Sequence, residues 1–447
     1  MRTSRLIHLA AVLLGVVVIA ACSGDSSGSS VIPPGVPLPP APPSPSPPPP
    51  PPTGPSFDPQ FNPSTNLREV FYENGMTSEE NGDNLESVLE SLSAGDHVVI
   101  HAGTYTVLSR ITFNAPGTLQ DPILVEAASG AAVHINRPNA NQNIVDLDSV
   151  SYLTIKDIEF SGGSLGITLR NVSYLYFYNN HVHDTGDAAI TANSGNTDHL
   201  YFVDNHVHDT NGLGEGFYLG ANFGAVITHH TYVIGNHVHD TGPGQGDGIE
   251  IKDGSYACVI SDNLIERTNY PGILVYGTQG EAEVNLIERN VIIDSNQAGI
   301  QVAADCIVRN NLVIRARASC IVSQPHQTAS PQNLTIVHNT LVNDIDVLAT
   351  SSWTGPNIVF ANNAMYSDTT GPFFGSQGTA ILSGNVTLGS LSAFVDLTLD
   401  GSRRDGTPSA GSALIDAGDP AYAVTLDLDA DNRQGSLETG AVDDDTQ

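Results

Sequence analysis

Polar and apolar residues alternate along most of the chain, and an asparagine resets the alternation at intervals. Asn180, Asn205, Asn236, Asn263, Asn290, Asn311, Asn339 and Asn363 follow one another at gaps of 25, 31, 27, 27, 21, 28 and 24 residues. Apolar residues precede several of them by five and three positions (Leu175/Phe177, Leu200/Phe202, Leu334/Ile336, Ile358/Phe360). Another usually follows at plus two (Val182, Val207, Val238, Ile265, Ile292, Val313, Leu341). A period of two is that of a strand buried on one face. After a Gly-rich stretch the alternation resumes, in GITLRN, AITANS, GFYLGA, GIEIKD, GILVYG and GIQVAA between residues 166 and 304. The pattern predicts three short strands per repeat and no helix, hence an all-β solenoid. Each coil then pairs with the next at about 4.8 Å, and equivalent residues stack into columns. An inward asparagine at a fixed corner would bond the backbone of its neighbours, leaving no buried polar group unpaired.

The stretch NLESVLESLSAGDHVVIHAGTY (84–105) resembles the cap helix and first coil of the right-handed parallel β-helix proteins, the pectate-lyase-like superfamily. Asp83 or Asn84 is the expected N-cap. GTLQDPILVEAASGAAVHI (117–135) is similar to a second coil, and GSALIDAGDPAYAVTLDLDADNRQGSLETGA (411–441) to the end of such proteins. The resemblance covers about Leu67 to Val442. It implies a single-stranded right-handed parallel β-helix (57–380) with an N-terminal cap helix, then an end region with an Asp-rich loop (381–447). It implies no single activity, because this fold carries lyases, hydrolases, epimerases, adhesins and inert binding modules.

The solenoid pattern does not extend to the N-terminus. Arg2 and Arg5 precede an apolar run, Leu6 to Ala21, too short for a spanning helix, so residues 1–22 are expected to be a signal peptide. Ile19-Ala20-Ala21-Cys22 resembles the bacterial lipobox, which implies lipid on Cys22, and Ser23 resembles the outer-membrane sorting pattern. Residues 23–56 turn from Ser/Gly-rich to Pro-rich, with Pro47–Pro52 at the centre. Such a segment is an extended spacer of roughly 3 Å per residue. The expectation is an exported monomer, lipid-anchored at the outer membrane or cell surface, touching the membrane through that lipid alone.

A formal charge of −32 argues against a nucleic-acid partner, whose phosphates need a basic patch. An acidic polysaccharide would also be repelled unless a cation reversed the local field. Cys258 and Cys306 occupy one repeat slot two coils apart and, like Cys320, are expected to be buried thiols rather than a disulfide.

Three sets of residues carry candidate chemistry. The six letters NHVHDT recur at Asn180, Asn205 and Asn236. With Asn and Val inward, both histidines point out, giving columns His181/His206/His237 and His183/His208/His239 beside Asp184/Asp209/Asp240. Duplication of coils with stacking of like rings is the simpler account. The alternative is a transition-metal or proton-handling patch. In the next coil Leu264, Glu266 and Arg267 replace the motif, and no HExxH or Cys/His spacing marks a zinc centre.

The second set lies around TGPGQGDGIEIKDGS (241–255). Burial of Ile249 and Ile251 would project Glu250 and Lys252 outward roughly 7 Å apart. Lys252 is one of two lysines in the chain, the other being Lys156. Glu215 and Asp247 share a slot on adjacent coils, with Asp187 near it one coil earlier, an oxygen-rich group suited to Ca²⁺. Tyr276 takes the slot of Lys252 on the following coil, and Arg267 stands at the loop entrance.

GIEIKDGS distantly resembles the Glu-plus-Lys strand of the alginate and chondroitin lyases, with Tyr276 where that family has an Arg. The resemblance implies Ca²⁺-assisted β-elimination. Glu215, Asp247 and Glu250 would hold the metal, Lys252, Arg267 and Tyr276 would be catalytic, and His208, His239 and Tyr218 would contact substrate. Asp427, Asp429, Asp431 and Glu438 fall at EF-hand positions one, three, five and twelve, a candidate structural Ca²⁺ loop. The functional expectation is a surface protein that binds and cleaves a uronate-containing polysaccharide. The alternatives are a non-catalytic carbohydrate-binding or adhesive solenoid and a uronate C5-epimerase, although the Asp-Pro-His-Asp order of the alginate epimerases is absent.

Overall fold

The computed structural model describes residues 66–368, 371–433 and 437–443. The signal, lipobox and proline-rich spacer lie outside them. Three long sheets of fourteen, twelve and eleven strands run along the chain. Sheet 1 extends from Asn66–Val70 to Ile381–Ser383, sheet 2 from Gly103–Thr106 to Val386–Leu388, and sheet 3 from Ile111–Phe113 to Phe373–Gly375. Each coil gives one strand to each sheet and pairs in parallel with the next, Leu175 on Leu200, His181 on His206 and Ile190 on Phe217. The architecture is a right-handed parallel β-helix.

The inward column Val182, Val207, Val238, Ile265, Ile292, Val313 and Leu341 is buried throughout. Each such side chain contributes about 1.5–3 kcal/mol of hydrophobic stabilisation. The corner after sheet 1 follows one rule: a residue with positive φ, then the buried asparagine. The first position is Asn179 (50°), Asp204 (54°) or Gly235 (67°) in the earlier coils, residue types that tolerate that region best, while Arg289 (53°) and His338 (54°) adopt it in later ones. The asparagines form a ladder. Asn180 N–H donates to Asn205 Oδ1 at 2.9 Å, Asn205 N–H to Asn236 Oδ1 at 2.9 Å and Asn236 N–H to Asn263 Oδ1 at 2.9 Å. The ladder runs one rung beyond the sequence register, since Asn363 N–H donates to Asn385 Oδ1 at 3.0 Å. Cys258, Cys306 and Cys320 are buried free thiols, and Cys306 stacks on Leu334.

The cap helix spans Ser78–Leu89, and its N-cap is Thr77 rather than Asp83 or Asn84, which lie inside the helix. Thr77 completes both halves of a capping box: Glu80 N–H donates to Thr77 Oγ1 at 3.2 Å and Thr77 N–H to Glu80 Oε2 at 2.8 Å. Leu85 and Leu89 are buried in the core that continues into the first coils.

Beyond the coils, an antiparallel ribbon (Phe394–Leu397 with Arg404–Pro408) packs Phe394 and Leu397 against Ile293, Leu312, Ile314 and Val342. It covers the outer face of sheet 2 over the later coils. The earlier coils of that face carry the histidine columns.

Candidate active site

Strand Ile249–Ile251 buries both isoleucines in the core, so alternation sends Glu250 and then Lys252 to the outer side of sheet 3. Register places Tyr218 beside Glu250. Val275 pairs with Ile251, which brings Tyr276 next to Lys252. The Gly-rich loops bring Glu215 and Asp247 to equivalent points just before adjacent strands. Carboxylate oxygens of Glu215, Asp247 and Glu250 lie within 4.8 Å of one another. Lys252 Nζ donates to Glu250 Oε1 at 2.5 Å and lies 3.4 Å from Tyr276 Oη and 4.3 Å from the centre of the Tyr218 ring. Tyr276 Oη donates to the same Glu250 oxygen at 2.9 Å.

The group points away from the core, yet Glu215, Asp247, Glu250 and Lys252 are each at most 5 % exposed. This corrects the expectation of an open outward pair. Loop 324–333 lies against the Tyr276 end of the group. His326 Nε2 stands 3.1 Å from Tyr276 Oη, and the two rings are 4.6 Å apart. Thr328 donates to Asp253 through its hydroxyl at 2.5 Å. Gln327 donates to Asn222 Oδ1 at 2.7 Å and accepts from Phe223 N–H at 2.6 Å, fastening the strap across the coils. Tyr218 is half-buried and reaches the surface. His326, Gln327 and Thr328 had no signature in the sequence beyond the length of that loop.

Burial and the charge of Glu250 push the Glu215 carboxyl up to about 7. Burial, Glu250 and Glu215 raise Asp247 well above the usual carboxylate range. Burial opposes the Lys252 ammonium, but Glu250 and Tyr218 outweigh it and hold the lysine above its ordinary value. Burial and then Glu250 keep the Tyr276 phenol protonated. Asp247 Oδ1 finds no hydrogen-bond partner. An all-oxygen donor set with one unmet buried oxygen fits a hard cation such as Ca²⁺.

Other candidates fall elsewhere. Arg267 follows a sheet 2 strand, and its guanidinium is taken by Asp240 in a fork at 2.9 and 2.8 Å. His208 and His239 stand in the sheet 2 columns, in register with His183 as expected. Burial and neighbouring rings push His181 down to about 4 and His206 to about 3, so these imidazoles are neutral. In the Asp-rich loop, Asp427 Oδ1 accepts the N–H groups of Asp429 and Asp431 at 2.9 and 3.0 Å, and Oδ2 accepts that of Asp443 at 3.1 Å. Asp427 thus closes a turn with oxygens that an EF-hand would aim at a metal. Asp429 and Asp431 face solvent, and Glu438 is pushed up to about 8 by burial and Asp443. Among the described residues the four do not converge as a metal cluster.

A family model described as right handed beta helix region matches residues 123–237 and 228–365, more than half of the chain. The chain belongs to that family. No curated protein matches this β-helix protein. Among solved structures, pectate lyase Pel9A is 17% identical over 84% of this chain and 96% of its own, with a TM-score of 0.52. The A-module of Azotobacter vinelandii mannuronan C-5 epimerase AlgE4 is 12% identical over 70% and 98%, with a TM-score of 0.49. Alginate lyase from Paenibacillus sp. str. FPU-7 is 16% identical over 69% and 98%, with a TM-score of 0.45. At these identities the likeness is one of fold.

Proposed function

We propose that this β-helix protein acts on a uronate-containing polysaccharide and that the sheet 3 cluster cleaves it by β-elimination. The observation that carries the reading is the convergence of three carboxylates, one with an unmet oxygen, on a buried lysine and a protonated phenol. Glu215, Asp247 and Glu250 would hold Ca²⁺. Bound there, the ion supplies the positive charge an anionic sugar needs and acidifies the proton alpha to its carboxylate. Lys252 Nζ removes that proton. The amine must be neutral to do so, which requires that the charge of Glu250 be drawn to another cation. Tyr276, 3.4 Å from Nζ, is placed to return a proton to the departing sugar oxygen. Sugar enters on the Tyr218 side once His326 leaves Tyr276. The lipid on Cys22 and the proline spacer hold the domain at the outer membrane or cell surface.

The closed strap favours a second reading, a non-catalytic carbohydrate-binding or adhesive solenoid in which the acid and lysine group ties coils together. An epimerase would share the proton abstraction and return the proton to the opposite face. Pel9A is named as a pectate lyase, which supports placing pectate beside alginate and chondroitin in a substrate panel. Unsaturated product is read with and without Ca²⁺. Lys252→Ala should lose about 10²–10⁴-fold in turnover, the scale of a lost general base, and keep Ca²⁺-dependent retention on the polymer. Glu250→Gln should weaken both. A Lys252→Ala protein that cleaves as fast as the parent refutes the catalytic assignment.

A further inference from the structure

The fold accounts for four of the six letters of NHVHDT. Asn builds the ladder, Val fills the core, and Asp184, Asp209 and Asp240 occupy a positive-φ corner at 54°, 50° and 50°. The threonines turn inward: Thr185 Oγ1 donates to Asp187 O at 2.6 Å, Thr241 Oγ1 to Gly246 O at 2.5 Å, and Thr210 to Gly214 O. Neither histidine is required. In the three coils that follow, the same two slots hold Leu264 and Glu266, Val291 and Ile293, then Leu312 and Ile314.

The rings do more than stack. Down the columns, neighbours lie 4.7–5.2 Å apart and nearly parallel. Their nitrogens meet on the diagonal, His181 Nε2 at 2.6 Å from His208 Nε2 and His206 Nε2 at 2.8 Å from His239 Nε2. Behind, His208 Nδ1 and His239 Nδ1 each sit 2.7 Å from the aspartate of their own coil, Asp209 and Asp240. That contact fixes the tautomer. Nδ1 carries the proton given to the carboxylate, and Nε2 keeps its lone pair toward the neighbouring ring. A carboxylate behind Nδ1 and a bare Nε2 in front is how proteins orient a histidine toward a transition metal. Ligand atoms of His181, His206 and His208 lie within 4.8 Å of one another, as do those of His206, His237 and His239.

We propose that this stripe binds a transition-metal ion such as Zn²⁺, Cu²⁺ or Ni²⁺, through His206 with either His181 and His208 or His237 and His239. An all-imidazole set selects these ions over Ca²⁺ and Mg²⁺, which take oxygen. Zn–N bonds of about 2.0–2.1 Å place tetrahedral nitrogens about 3.3 Å apart. The paired rings must therefore open by some tenths of an ångström while the third closes in. The rings are half-buried on the outer face, so side-chain rotation achieves this with the ladder intact. The ribbon that covers sheet 2 reaches back to Glu266, where Arg404 Nη2 donates at 2.7 Å, and the imidazoles begin one coil earlier. This site is separate from the sheet 3 carboxylates, so the proposal stands or falls independently of polysaccharide cleavage.

The test uses the full chain, made without a polyhistidine tag and stripped by chelation. Zn²⁺ binding is followed by calorimetry and Cu²⁺ binding by electron paramagnetic resonance. Tight binding is expected in excess Ca²⁺, with hyperfine splitting from at least two imidazole nitrogens, and Glu250→Gln should leave it unchanged. His206→Gln removes the ring common to both triads. It should weaken binding by at least the tenfold to hundredfold that loss of an outer partner costs. His229→Gln, outside the stripe, should not. If circular dichroism shows that His206→Gln misfolds, the pair His181→Gln and His237→Gln takes one ring from each triad instead. Absence of tight binding to the parent, or full binding retained by the stripe variant, overturns the proposal.

Discussion

Lys252→Met deletes one ammonium and keeps most of the stem that lies against the rings of Tyr218 and Tyr276. Glu250, 2 % exposed, is left with the Tyr276 phenol and with Glu215 and Asp247 close by. Removing one partner of a buried ion pair costs about 3–5 kcal/mol. The cost has a ceiling, because a stranded carboxylate can take a proton. At pH 7, protonating a glutamate of ordinary pKa about 4.3 costs about 3.7 kcal/mol, at 1.36 kcal/mol per unit. The expected loss is therefore about 3 kcal/mol at pH 7 in chelator, shrinking as the pH falls toward 4.5, where protonation is nearly free. Calcium at a hundred times its Kd should restore about 2.7 kcal/mol by mass action, since it replaces the lost positive charge. Urea unfolding followed by circular dichroism, at both pH values and with Ca²⁺ or chelator, measures each quantity. If Lys252→Met matches the parent within about 0.5 kcal/mol at pH 7 in chelator, the ammonium does not balance the acids. The electrostatic basis of the site would then be wrong.

His338 is fully buried, and its Nε2 accepts from Asn362 Nδ2 at 2.9 Å. Burial and Arg433 push its pKa down to about 3. The unfolded chain takes up that proton below about 6.5, so the contribution is intact above 6.5 and lost as the pH falls toward 3. About 2 kcal/mol should be gone at pH 5. His338→Gln should flatten that slope, and identical pH profiles would disprove it. Asn263 accepts from Asn236 N–H at 2.9 Å and donates to Val233 O at 2.8 Å, so Asn263→Ala strands buried backbone groups. A loss of about 2–4 kcal/mol is expected in urea unfolding, and a loss under 1 kcal/mol would show that the ladder is not needed. Cys22→Ser should move the protein out of the membrane fraction with an unchanged circular dichroism spectrum. Continued attachment would remove the lipobox from the account.

The coils were legible in the sequence because their determinants are local and repeated. Inward Val182, Val207 and Val238 keep a period of two, and each Asn bonds the next at the same corner, so one register fixes all the columns. The adjacency of Glu215, Asp247, Glu250, Lys252 and Tyr276 followed from that register, since stacking converts a sequence offset of one coil into contact. The cap helix has its N-cap six or seven residues before Asp83 or Asn84, because the Thr77 and Glu80 pair lies upstream of the apolar stretch that marks the helix. What the coil register could not give was anything set by segments outside it. His326 reaches Tyr276 across fifty residues of sequence through a loop with no period, and the coil register does not place that loop against the cluster. Arg267, by contrast, follows the register: it takes on the next coil the slot of Asp240, whose carboxylate holds its guanidinium. The two histidine columns were readable as columns. The diagonal meeting of their nitrogens depends on ring rotation, which the alternation of inward and outward residues leaves undetermined.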